Sequence, residues 1–389
     1  MKLITRILLA AMPFFAADLF GQEANMLWYN RVSQEEGLSS QDYNFYVYVD
    51  SEGYTWISST AGLNRFDGFH IKQYHSDFQD STALFGENIQ SRFFEDSRHN
   101  LWFCTYEAVH CYNRRLDNFQ HFFIRNDEGE QIGEDYYVFH LEQDSILWLR
   151  GGQGVYRVNI NDPEKTGKMF ETARKLFETG YFHLYTGLAK DSSVQYIFAC
   201  SDDKKNGVTR FEIKNGTLRN QVTFFDKSGD PALETGVYQV EFEDPENIWL
   251  TTGKGLAKWS LSRQDKIEIF PFRFQGYAYF APFGKQYLIV SFFGKGIFLF
   301  DKYSGRYTPF LLKPVKQLNA VAAERTCRNI YLDRNQVLWV SIPPEGVLYT
   351  SLQKRKFTAI AHSDSLRGGK FNYRNFIENK DGRIWCGYG

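Results

Sequence analysis

The chain has 389 residues, with 45 basic and 46 acidic side chains and a formal charge of −1. That balance excludes the one-sided positive field of a nucleic-acid surface or a polybasic membrane patch. Aromatic residues reach 17%, with 36 Phe and 24 Tyr, which favours strands over helices.

The first element in chain order is an export signal. Lys2 and Arg6 give a positive start, Ile7 to Phe15 an apolar run, and Ala16, Ala17 and Gly21 the small residues ahead of cleavage before Gln22. Residues 1–21 are therefore expected to be a cleaved signal peptide. The alternative is an uncleaved anchor, but the run is short for a spanning helix and Asp18 interrupts it. No Cys lies near the cleavage region, and no spanning stretch follows Ala24.

A repeat follows. Trp56, Trp102 and Trp148 are spaced by 46 residues, as are Trp339 and Trp385, and Trp249 shares their local context. Trp28 and Trp259 are out of phase. Six positions before each phased Trp stands an acid or amide: Asp50, Asp96, Glu142, Glu243, Asp333 or Asn379. Six or seven positions after it comes a small residue followed by an aliphatic one, as in Gly62-Leu63, Ala108-Val109, Gly154-Val155, Gly255-Leu256 and Gly346-Val347. Two copies lack the Trp, Val194 to Cys200 and Tyr287 to Val290.

Each copy translates into four short strands. In the first these are Tyr43 to Val49, Thr55 to Ser59, Gly62 to Phe66 and Ile71 to Tyr74, with Asp50 to Gly53 as a tight turn. A period of this length with four strands per copy predicts an all-β, seven-bladed β-propeller over 27–360. Trp56, Trp102, Trp148, Trp249, Trp339 and Trp385 are expected to pack between blades as its structural core. Residues 163–180 read equally as a short helix or as an outer strand with a long loop. Residues 361–389 replay the opening half of a repeat and are expected to begin a second propeller, so the chain reads as an N-terminal piece of something longer.

Five Cys occur, an odd count that fits no disulfide framework. Cys104 and Cys111 fall on adjacent strands, where they either pair or stay buried thiols. No CxxC or His/Cys cluster suggests a metal, and no cofactor is expected.

Glu36-Gly37-Leu38-Ser39-Ser40, the run Asp50 to Ile57 and the run Gly62 to Gly68 resemble the two-component regulator propeller repeat. The resemblance covers nearly all of 27–389. It implies the periplasmic sensor region of hybrid two-component histidine kinases of Bacteroidetes, whose usual signals are glycan-derived oligosaccharides. It also implies two successive propellers, a tyrosine-bearing immunoglobulin-like domain, a membrane helix and a kinase beyond this chain, with homodimerisation through those later domains.

No catalytic constellation emerges. None of the eight His precedes an acid as a phosphoacceptor would, and Gly151-Gly-Gln-Gly154 suits a hairpin turn better than a nucleotide loop. The repeated acids read as turn caps, although a secreted glycosidase or polysaccharide lyase, or a protein-interaction scaffold, stays open on the fold alone. Departures from the repeat are the better ligand candidates. Arg92 stands where the first copy has Tyr46, and Arg150 where most copies have a small polar residue. Both Arg are expected on inner strands, contacting either a ligand near the channel or an inter-blade acid. Trp259 either offers an exposed stacking face or packs at a blade edge.

Overall fold

The computed structural model describes residues 27–40, 44–89, 91–125, 128, 130–131, 135–142, 144–151, 154–159, 173–178, 183–188, 194–200, 208–214, 217–224, 236–261, 266–272, 277–310, 312–314, 327, 329–353, 373–378 and 384–388. The expected signal peptide lies outside them. The chain forms two compact units, Met1–Leu352 and Gln353–Gly389.

The first unit is a seven-bladed propeller. Blade 1 holds strands Asn44–Val49, Thr55–Ser59, Gly62–Phe66 and Ile71–Tyr74, as the repeat predicts. Blades 2 to 6 repeat this antiparallel order over 94–122, 137–178, 183–224, 237–271 and 278–309. The Trp-less copies, blades 4 and 6, form full four-stranded sheets. Ala173–Glu178 is the outer strand of blade 3, which favours the strand alternative there; 163–172 lie outside the described residues.

Blade 7 is assembled from both ends of the unit. Asn329–Leu332, Val337–Ile342 and Gly346–Ser351 supply three strands, and Leu27–Val32 supplies the fourth, antiparallel to Gly346–Ser351. Leu312–Pro314 then adds in parallel to Leu27–Val32. The ring is closed by main-chain hydrogen bonds between segments remote in sequence.

Seven apolar clusters fill the seven junctions. Trp56 packs on Leu101 and Phe103 of blade 2, Trp102 on Leu147 and Leu149 of blade 3, and Trp148 on Ile197 and Ala199 of blade 4. Trp249 packs on Phe280 and Leu288 of blade 6, and Trp339 on Val47 and Ile57 of blade 1. Phe198 and Ile289, both fully buried, take the Trp place at the remaining two junctions. Any large apolar residue pointing at the next blade fills the wedge, so the fold tolerates loss of the Trp signature.

The repeat acid couples turn to tryptophan. Asp50 Oδ1 accepts the backbone N–H of Glu52 and Tyr54, while Oδ2 accepts the Trp56 indole N–H at 2.7 Å. Asp96 with Trp102 and Asp333 with Trp339 repeat the arrangement. Glu142 holds Trp148 in the same way. In blade 5 the cap moves one place to Asp244, Glu243 turns to Lys258 and Lys302, and the buried Trp249 indole N–H has no acceptor among the described residues. On the third strand a cation sits over the ring: Arg65 over Trp56, Arg157 over Trp148 and Lys258 over Trp249.

The Gly-Leu-Ser motif has a local purpose. Ser33 and Glu36 form a capping box around a single turn, Gly37 adopts positive φ, and Leu38 is buried. The buried Asn64 side chain then accepts from Ser39 N–H and donates to Ser39 Oγ. The two motifs are therefore halves of one clamp.

Cys104, Cys111, Cys200 and Cys327 are buried free thiols, whose protons burial holds in place. The second unit contains one antiparallel hairpin, Tyr373–Glu378 with Ile384–Tyr388, in which Ile377 pairs Trp385; the Trp385 side chain is outside the described part.

Candidate functional site

Because every blade runs in the same order, all inner strands begin at one end of the channel. At that end each presents a residue opposite the position two beyond the Trp place. These are Tyr46, Tyr137, Gln239, Tyr279 and Asn329, with His183 at the same level of the blade 4 backbone; Arg92 lies two residues ahead of the blade 2 inner strand Phe94–Glu95, not on it as expected. Tyr46, Arg92, Gln239, Tyr279 and Asn329 are partly buried. All of these carry hydrogen-bonding groups and none is aliphatic, which suits a wet channel rather than a core.

The structure brings Tyr46 and Arg150 together through Tyr137. The inner strand of blade 2 is only Phe94–Glu95, so Tyr46 of blade 1 reaches the blade 3 cluster. Its hydroxyl lies 3.1 Å from that of Tyr137. Arg150 sits over the Tyr137 ring at 5.8 Å and its Nη2 donates to both oxygens of Asp135, at 3.0 and 3.1 Å. Arg150 departs from expectation in two ways. It stands on the second strand, Ile146–Gly151, not the inner one, and its acid is the non-repeat Asp135 of the segment entering blade 3.

Arg92 is the cation felt by Glu241 on the inner strand of blade 5. Blades 2 and 5 are not neighbours, so this attraction acts across the channel. Burial raises the Glu241 carboxyl above its ordinary range and Arg92 opposes the rise. On blade 3, burial lowers the pKa of His140, against a weaker pull from Glu142. Gln239 is committed to the frame: it donates to Phe280 O and accepts from Phe280 N–H, tying blade 5 to blade 6.

Trp259 must be corrected as an exposed stacking face. It is fully buried, edge-on to Phe198 at 5.6 Å. It pairs Ile248 across the sheet, so it points to the opposite side from Trp249 and fills the blade 4 junction. Its being out of phase records that reversal of face.

No motif marks His110, which is fully buried on the third strand of blade 2. Its Nε2 accepts the Phe85 N–H, and its Nδ1 faces Ala108 O at 3.2 Å. The ring is thus held neutral with its proton on Nδ1. Burial, aided by His121, lowers its pKa to about 3. A histidine depressed in this way leaves stability intact above its unfolded value of about 6.5 and removes it as pH falls towards 3, because the unfolded chain then binds the extra proton. The stability gap between wild type and His110→Gln is therefore expected to shrink as urea unfolding is repeated from pH 7 down to pH 4. A gap independent of pH would contradict this account.

No protein-family model matches the chain, and no curated protein matches it. Solved structures do. The extracellular domain of B. thetaiotaomicron BT3049, described as a hybrid two component system, is 18% identical with a TM-score of 0.64, over 93% of this chain and 47% of that one. The corresponding domain of BT4673 from the same organism is 14% identical with a TM-score of 0.65, over 84% of this chain and 42% of that one. The WD40 propeller of Doa1 is 12% identical with a TM-score of 0.54, over 86% of this chain and all of its own. At these identities the likeness is one of fold, and the chain spans less than half of the two extracellular domains.

Proposed function

We propose that this chain is the sensor propeller of an extracytoplasmic hybrid two-component receptor, responding to glycan-derived oligosaccharides without catalysis of its own. The observation that carries the reading is the likeness over 93% of the chain to an extracellular domain of that description, joined to the regulator-propeller motifs in the sequence. The repeat acids, which lie in the turns at the other end of the inner strands, fit a structural role rather than turnover. Asp50, Asp96 and Asp333 have both oxygens engaged by turn and Trp, which leaves them unfit as general acids. Export through residues 1–21 puts the module in the periplasm, residues 361–389 open a second propeller, and dimerisation belongs to later domains. A ligand then signals by favouring one arrangement of the paired receptor over another.

Calorimetric titration of a glycan panel, with product analysis of the same samples, tests this. Binding without cleavage is the expected result. Release of shortened glycan would replace the sensor reading with that of a secreted hydrolase or lyase.

A further inference from the structure

We propose that Tyr277 and Phe293 form a stacking corner for a pyranose ring at the channel end between blades 5 and 6; this rests on the reading that the module binds a soluble glycan. Tyr277 immediately precedes the inner strand Ala278–Phe283, and Phe293 immediately follows the second strand Tyr287–Phe292. Both therefore lie at the end where the inner strands begin. They are 44% and 40% exposed, with ring centroids 6.0 Å apart and planes at 64°. The Phe293 N–H donates to Tyr277 O at 2.9 Å, and Tyr238, itself buried, backs Tyr277 at 4.6 Å. Two half-exposed rings are thus held at a fixed angle by a backbone bond and a buried third ring.

The chemistry of the surroundings selects the ligand class. A pyranose has a C–H face and a rim of hydroxyls, so it wants an aromatic face beside hydrogen-bonding groups. The same channel end offers Arg92, Tyr46 and Asn329, and the second-to-third-strand turns of blades 5 and 6 carry Lys254 and Lys295. An apolar protein partner would need a wider apolar patch. The other exposed hydrophobics do not extend it: Tyr106 and Phe78 share this end but belong to blades 2 and 1, which do not adjoin blades 5 and 6, and Phe69, Leu116 and Tyr303 occupy hairpin tips at the opposite end of the strands.

The experiment titrates cellobiose, xylobiose, galactobiose and digalacturonate into the whole chain and into Tyr277→Ala, Phe293→Ala, Tyr277→Phe and the distant control Tyr303→Ala. For a disaccharide that the wild type binds, affinity is expected to fall about tenfold in each of the first two variants and to stay within about twofold in the others. Wild-type binding that survives Tyr277→Ala and Phe293→Ala unchanged overturns the stacking corner and leaves the glycan-sensor reading standing. No binding of any of the four by the wild type overturns both. Unchanged unfolding midpoints, expected at these exposed positions, separate lost contact from lost fold.

Discussion

Alanine at position 50 is expected to cost about 4 kcal/mol of stability, the scale of breaking a buried ion pair by removing one partner. Asp50 is fully buried and serves four donors: two turn amides, the Trp56 indole and the Arg114 guanidinium at 2.7 Å. Its loss strands the indole and the turn together. Arg114 retains Glu95, which limits the damage to the blade 1 side. Asp244 offers an internal comparison, because it caps its turn from an exposed position and holds no indole. Asp244→Ala is expected to cost about 1 kcal/mol, the ordinary value of a lost side-chain cap. Urea midpoints of the two variants decide the matter: equal losses would mean that the carboxylate–indole bond adds nothing to the turn.

Gly346→Ala is expected to be nearly as damaging, for a reason of space. Gly346 has φ +93, and a Cβ there would lie 2.3 Å from Val32 O on the closing strand. Gly62 and Gly255 stand in the same relation to Tyr74 O and Phe270 O, each at 2.4 Å. At these three glycines an outer strand runs too close for any side chain. Gly294 has φ +67 with nothing within 4 Å, so Gly294→Ala reports the backbone cost alone, about 1–2 kcal/mol. Gly346→Ala should exceed it by about 2 kcal/mol more, on the scale of overpacking, and should also speed proteolysis within residues 27–32. If the two alanine variants unfold together and residues 27–32 stay protected, the close approach is not what fixes the glycine.

Much of the frame was legible because its signals are local. The acid, the turn and the Trp lie within seven residues, so one repeat discloses strand order, cap and core. The parts that stayed hidden depend on contacts between distant segments. Leu27–Val32 carries no repeat motif, yet it completes blade 7 because Gly346–Ser351 offers it an edge. Arg150 finds Asp135 rather than an inter-blade acid because Asp135 lies two residues ahead of Tyr137, which pairs Arg150 across the sheet. Trp259 looked like an exception to the repeat when it was a core residue of the other face. At the channel end, Arg92 and Tyr46 were visible as departures from the pattern. Glu241 and Tyr137 were not, since only the ring brings blades 2 and 5, or 1 and 3, within reach.

The closing strand also sets the order of folding. Asn30 pairs Tyr349, the highest sequence separation of any strand pairing among the described residues, so its loop-closure entropy is met last. Blades 1 to 6 assemble from hairpins near in sequence, whereas the ring can shut only after residue 351 has been synthesised. Until then blade 7 shows an unpaired edge, the kind of surface that recruits another chain. The early-made strand must wait for the late one, which makes protection of that edge during folding more important to this protein than to one whose elements pair in the order they emerge.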